Sequence, residues 1–333
     1  MMRRFTFRNE RSFYWRKCEL TGKNIISCFS PSSEIVVYDR DIWWSDQWNV
    51  LDFGIDLSFT TSFLKQFKEL MHRVPMPALF NGRSVNSNFC NHIGDFKDGY
   101  LVSASWGGEN IMYSSRCNQS RDSIDNFATT NCELCYENIS SVKLYATCFA
   151  QNSANCNNCF LIYDCKNCSN IFGSTNLRNK QYYIFNQPYL KEDYFKKLKK
   201  INTGSYKSLV ENENKFREIK IKTLRKAANI LHSQKVIGDN INNSFNCQIC
   251  FDVIGNIRDC KFVMNAHDLR DSYDGYGVGE NGELLYEVID TGVQASRLIF
   301  GVVIWGGSNV YYSYNCHNCF YCFGCIGLRK THL

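Results

Sequence analysis

The chain has 333 residues, of which 44% are apolar and 15% aromatic, with a net charge of +6; that is enough for two domains with sizeable cores and excludes a disordered composition. The longest apolar runs, such as Leu298 to Phe300 and Val302 to Trp305, fall far short of the roughly 20 residues of a membrane-spanning helix. The basic stretch from Met1 to Lys17 lacks the apolar core of a secretory signal. A cytoplasmic location is therefore expected, with no membrane partner. In such a compartment the eighteen cysteines point to metal ligation or core packing rather than disulfides.

Residues 1–80 read as an N-terminal α+β module. Ile35, Val36 and Val37 predict a strand over Glu34 to Tyr38. Phe59, Phe63, Leu64, Phe67, Leu70 and Met71 recur at helical spacing, with Asp56 or Ser58 as caps and Pro75 and Pro77 beyond the end. The apolar face of this helix is expected to pack on the first coil of the repeat that follows.

That repeat occupies residues 81–186. Short Cys/Ser/Asn units precede aromatic or aliphatic residues, as in Cys132-Glu-Leu-Cys135-Tyr, Ser141-Val-Lys-Leu144-Tyr and Cys156-Asn-Asn-Cys159-Phe. Their recurrence about every ten residues predicts a parallel β-solenoid with coils of roughly 20 to 22 residues. Residues 187–238 break the pattern as a helical insertion. Between Tyr189 and Lys235 thirteen Lys or Arg face five Asp or Glu, so the basic charge belongs to this segment. Its lysines, above all Lys196, Lys197, Lys199 and Lys200, are candidates for contact with an acidic partner or nucleic acid, or form a solvated helix face.

Over residues 239–333 the repeat resumes. Cys165-Lys-Asn-Cys168, with Phe172-Gly173 and Leu177-Arg178, returns 151 positions later as Cys316-His-Asn-Cys319, with Phe323-Gly324 and Leu328-Arg329. The fold class expected is thus mainly β: a duplicated parallel β-solenoid with an N-terminal module and a helical insertion between its halves. The second half ends at Leu333 without the strand and helix that follow the first, so its last coil is expected to lack a cap.

Seven Cys-x-x-Cys pairs, each with the spacing of half a zinc site, make Cys156, Cys159, Cys165 and Cys168, and Cys316, Cys319, Cys322 and Cys325, the candidate zinc ligands. The run from Cys316 also approaches the spacing of an iron–sulfur site, but its last gap is two residues and no proline follows. Against a metal, the slots are interchangeable: Cys132 and Cys135 correspond to Ser120 and Ser123 one unit earlier. Small side chains stacked in a narrow interior tolerate such exchange, and ligands do not. Core packing is therefore the favoured reading, with no cofactor expected. Residues three apart both point inward only where a corner lies between them. Asp268, Asp271 and Asp274 with Arg270 would suit Ca²⁺ binding or polysaccharide cleavage, or simply a repeat turn rich in Asp. The function expected is binding or scaffolding without catalysis; a structural zinc protein, a carbohydrate-active β-helix and a nucleic-acid binder are the alternatives.

Arg16-Lys17-Cys18, Thr21-Gly22-Lys23, Trp43-Trp44-Ser45-Asp46-Gln-Trp48 and the paired Leu-Arg motifs carry a resemblance over nearly the whole chain. It is similar to a Cys- and Asn-rich repeat family of uncultivated, small-genome bacteria, sometimes labelled CaiB/BaiF-like. The resemblance implies no activity, and that label would require a CoA-transferase aspartate in a fold this sequence does not describe. It implies an N-terminal zinc ribbon whose four cysteines map onto Cys18, Thr21, Asp39 and Ile42, so that one of the four survives.

Overall fold

The computed structural model describes residues 12–259, 275, 290–291 and 295–329. The Asp268 to Asp274 cluster lies outside them. The chain is mainly β, with 45% strand and 17% helix; the α-helices among the described residues are α1 (Arg40–Trp44), α2 (Phe63–Arg73), α3 (Lys191–Lys200) and α4 (Tyr206–Lys222). It divides into two compact units. Among the described residues one holds Trp15–Ala78 with the chain from Lys226 onward, and the other holds Leu79–Arg225.

The Leu79–Arg225 unit contains an 11-stranded sheet, parallel except at its last pair, where Tyr183 meets Pro188. Pairing joins each residue to the one twelve positions on: Asn91 to Ser103, Thr129 to Ser141, Leu144 to Cys156, Cys159 to Ile171. The pairing period is thus twelve residues, where coils of 20 to 22 were expected. The backbone explains the difference. Every third residue adopts a left-handed conformation, for example Asn131, Leu134, Glu137, Ser140 and Lys143, with φ between 48° and 54°. Three residues therefore make a side and its corner together, and no separate turn is needed. The residue after each left-handed one points inward, so Cys132, Cys135, Asn138 and Ser141 line one tier and Leu144, Thr147, Ala150 and Ser153 the next, all buried.

The hydrogen bonding of this triplet selects its side chains. Between tiers, backbone bonds use the amides of the two residues that follow the inward one, as in Arg121 N–H to Cys132 O at 2.9 Å and Asp125 N–H to Met112 O at 3.1 Å. The inward amide instead meets the inward side chain one tier earlier. Cys132 N–H donates to Ser120 Oγ at 3.1 Å, Cys135 N–H to Ser123 Oγ at 3.1 Å, Cys165 N–H to Ser153 Oγ at 3.2 Å and Val102 N–H to Cys90 Sγ at 3.4 Å. Asn126 and Asn138 do more. The Oδ1 of Asn138 accepts from Ala150 N–H at 2.7 Å while its Nδ2 donates to Thr147 O at 2.8 Å. A buried amide without an acceptor costs about 1–3 kcal/mol, so Ser, Thr, Asn and Cys are favoured at these positions.

Helix α4 lies on one side of the later tiers. Lys220 Nζ donates to Gln151 Oε1 at 2.6 Å and sits 4.9 Å from the Tyr163 ring centroid. Thr223 and Thr175 share a hydroxyl contact of 2.7 Å, and Asn176 Nδ2 donates to Leu224 O at 2.7 Å. Helix α3 packs by Tyr194 against Phe172 and Ile184.

In the other unit the same triplet recurs. Left-handed residues fall at every third position from Asn309 to Tyr321, and Tyr314 bridges Ile326 twelve residues on. The N-terminal module packs on this last described stretch, not on the first repeat. Phe63 of α2 meets Tyr312 at 5.3 Å and Phe323 at 5.1 Å, while Val74 and Met76 share a core with Ile326. The end expected to be bare is therefore covered. The Arg329 guanidinium lies 5.0 Å from Trp43 and 4.8 Å from Trp48, and donates to the carbonyls of Trp43 and Ser45. Gly327, at φ 72°, allows the close approach, since a Cβ there would stand 2.9 Å from Val74 Cγ1. Helix α2 also starts later than expected. Ser62 is its N-cap residue, and Gln66 ties down the preceding loop by accepting from Ser58 N–H at 2.8 Å and donating to Ser58 O at 2.9 Å.

His317 is buried between Trp43 and Trp44, at 5.9 and 4.9 Å, with Nε2 3.0 Å from Asn315 Oδ1. Burial, with the Arg329 charge second, pushes its pKa down to about 3.

Two predictions follow from these features. Asn138→Ala should destabilise the protein by about 2–4 kcal/mol, whereas Leu134→Asn, at a left-handed and exposed position, should stabilise it by about 0.5–1 kcal/mol; urea unfolding measures both. For His317 the unfolded state binds the extra proton first, so its contribution is fully present above pH ~6.5 and is lost as the pH falls toward 3. His317→Gln should flatten the pH dependence of the unfolding midpoint across that window.

Candidate functional site

The candidate zinc ligands fall on inward positions of the tiers. Cys156, Cys159, Cys165, Cys168, Cys316, Cys319 and Cys322 are buried, and Cys325 is half-buried. Between the members of each pair stands a left-handed residue, Asn158 at φ 50° and Asn167 at φ 53°; this is the corner that lets both thiols point inward. Each thiol faces backbone. Cys156 Sγ donates to Ala154 O at 3.3 Å, Cys165 Sγ to Tyr163 O at 3.6 Å, Cys168 Sγ to Lys166 O at 3.2 Å and Cys316 Sγ to Tyr314 O at 3.6 Å. These carbonyls lie two residues earlier in the chain, where inward serines also donate, as Ser153 Oγ does to Gln151 O at 3.1 Å. A thiol and a hydroxyl thus make the same bond in the same place, which is the physical basis of their exchange along the sequence.

The structure does bring thiols together. Cys156 touches Cys159 and, one tier on, Cys168, which in turn touches Cys165. The contacts with neighbouring thiols, then burial, push Cys156 and Cys165 up, and the contacts with Cys156 and Cys165 shift Cys168 down. Burial alone sends Cys90 to about 11. Cys322 rises to about 12 through burial and then through Cys325 and Cys319. Such thiols are poor nucleophiles at neutral pH. Among the described residues no disulfide forms, and no group of three or more His, Cys, Asp or Glu side chains is disposed to hold a metal ion.

The N-terminal turn gathers backbone hydrogen bonds around a single thiol. Gly22 N–H donates to Cys18 O at 2.8 Å, and Asp39 N–H donates to Cys18 Sγ at 3.3 Å. Burial pushes the Cys18 pKa up, but the Thr21 hydroxyl and the amides of Asp39, Thr21 and Leu20 outweigh it and shift it down.

Of the candidate lysines, all on α3, Lys197 Nζ lies 4.1 Å from the Tyr189 ring centroid and Lys196 4.0 Å from Asp193 Oδ1. Lys199 and Lys200 are exposed in the last turn. There they face the negative end of the helix dipole, which stabilises the helix whether or not a partner is bound.

A feature missed in the sequence is a continuous outward row. Tyr100, Met112, Ile124, Tyr136, Cys148, Phe160, Phe172 and Ile184 pair successively at one residue per tier. Aromatic contacts run along it: Tyr136 to Phe149 at 5.3 Å, Phe149 to Phe160 at 5.0 Å, Phe160 to Phe172 at 5.4 Å and Phe172 to Phe185 at 5.6 Å. The signal was the twelve-residue period, which the ten-residue alignment of units blurred. Beside it, Asp125 and Glu137 are exposed. A hydrogen bond to Glu137, followed by burial, pushes the Tyr136 hydroxyl up to about 12. Other outward rows are polar, such as Asn155 to Asn167 to Asn179 at 2.9 and 3.1 Å, and Lys97 to Glu109 at 2.6 Å.

No family model matches the chain, and no curated protein matches it. No helix among the described residues is long and apolar enough to cross a membrane.

Thiol labelling checks the site. Half-buried Cys28, Cys148 and Cys325 should react first in the native protein, and buried Cys132, Cys156, Cys165 and Cys316 at least about 100-fold more slowly, at a rate set by local opening.

Proposed function

We propose that this chain is a non-enzymatic binding or scaffolding protein built on a β-solenoid. One observation carries the reading. Most of the thiols and many hydroxyls and carboxamides point inward and bond to backbone, while the outward residues, Cys148 and an asparagine ladder among them, form rows. The twelve-residue parallel register and the left-handed third residue support the solenoid. A long regular surface suits an extended or repetitive contact; that step is an argument from architecture. Thiols serving as hydrogen-bond donors fit a reducing compartment such as the cytoplasm.

A second reading is structural zinc at the thiols of Cys159, Cys156, Cys168 and Cys165, which touch one another but would have to rearrange to surround an ion, since no group of three or more among the described residues is so disposed. Elemental analysis of protein purified under reducing, chelator-free conditions, with thiols counted after unfolding, separates the two. The scaffold reading expects no metal and close to eighteen reactive thiols. One or more equivalents of zinc, lost in Cys156→Ser or Cys168→Ser, would establish the second reading instead.

A further inference from the structure

The aromatic row on the Leu79–Arg225 unit is covered at one end and open at the other. At the covered end Phe172 and Ile184 are 1% and 6% exposed, sealed with Tyr194 of α3 and packed against by Phe160, Phe185 and Leu198. Tyr194 and Leu198 stand four residues apart and so lie on one face of that helix, while Lys197, Lys199 and Lys200 crowd its last turn. Toward the start of the row no helix among the described residues covers the same face. Tyr100 is 40% exposed, Tyr113 54%, Ile124 39% and Tyr136 38%, with the Phe89 ring tilted against Tyr100 at 5.6 Å. Contiguous exposed apolar surface of this kind marks contact sites.

From Tyr100 to Tyr136 the open stretch spans three pairings. That is about 14 Å at strand spacing, the length of about nine or ten helical residues. Helix α3 itself has ten. The open end also differs in charge, since Asp125 and Glu137 flank it as exposed residues.

We infer that the open stretch of this row, around Tyr113, Ile124 and Tyr136, binds a basic amphipathic helix of a partner protein, in the manner in which α3 covers its other end. The inference rests on the binding reading above and names its partner class. Aromatic and leucine side chains four apart would enter the row, and lysines or arginines at the helix margin would meet Asp125 and Glu137.

The probe is a fluorescent synthetic peptide of residues 189–202, titrated against the full-length protein by anisotropy. Saturable binding is expected, weakened about tenfold or more by Ile124→Ser and by Tyr113→Asn, and also by Glu137→Lys. Tyr113→Asn places a residue suited to φ 50° at that position, so its unfolding midpoint should hold or rise, and loss of binding cannot be ascribed to unfolding. A peptide of the same composition with the apolar residues shuffled out of register should bind at least tenfold more weakly. No binding at millimolar peptide, equal binding of the shuffled peptide, or indifference to the three substitutions overturns the inference. So does concentration-dependent self-association abolished by Tyr113→Asn, which would assign the row to a second copy of this chain, or binding to phosphatidylglycerol vesicles abolished by it, which would assign the row to an anionic membrane. The metal and thiol count decides the scaffold reading separately, so failure of one is distinguishable from failure of the other.

Discussion

The inward-pointing amide is the constraint on which the rest of the structure depends. A triplet whose third residue is left-handed directs two of its three amides along the ladder and turns the remaining one into the interior, where there is no water to satisfy it. Where the inward residue one tier earlier is polar, its side chain supplies an acceptor. Serine, threonine, asparagine and cysteine are the side chains short enough to fit and polar enough to serve, and Ser153, Thr147, Asn138 and Cys90 each do so. The interior is therefore not a hydrophobic core in the ordinary sense; it is a stack of local bonds interleaved with Ile111, Leu144, Ile162 and Ile171, all fully buried. The cysteines are abundant because a thiol both donates to a nearby carbonyl and packs as a small hydrophobe.

This geometry also separates chemistry from surface. Since one residue in three is committed to the interior, the other two are left to vary along rows whose members repeat at the spacing of strands. Like side chains accumulate in such rows: asparagine ladders, alternating charges and an aromatic seam, each on its own side. Helices α3 and α4 cover the later tiers on two of these sides.

Part of this was legible in the residues. The three-residue spacing of Cys132 and Cys135, read with the exchange of Cys for Ser one unit earlier, led to inward packing around a corner, and Leu134 is that corner. The length of the tier was not legible. Left-handed positions usually announce themselves as Gly, Asn or Asp, but here they include Phe149, Lys143, Leu161 and Tyr182, because the ladder on both sides holds the backbone whatever the side chain. Nor could the sequence place the N-terminal module, because aromatic residues such as Phe63 and Trp43 carry no address; their partners Tyr312 and His317 lie more than 240 positions away in the chain. The aromatic row was hidden for the same reason as the tier: its members fall into line only at a period of twelve.

The triplet imposes an arithmetic on how such a chain can change length. Removing twelve residues deletes one tier and leaves every later side chain in its own row. Removing three moves all later rows round by one side, so that the row through Phe160 is continued by Thr175 in place of Phe172. Removing one turns interior serines out and outward lysines in. The two copies of the Leu-Arg motif lie 151 positions apart, one residue more than a multiple of three, so the phase of the triplet must be reset between them. The interruption of the ladder by α3 and α4 lies in that interval, and segments of this kind, free of the triplet rule, are where insertions and deletions of any length can be absorbed.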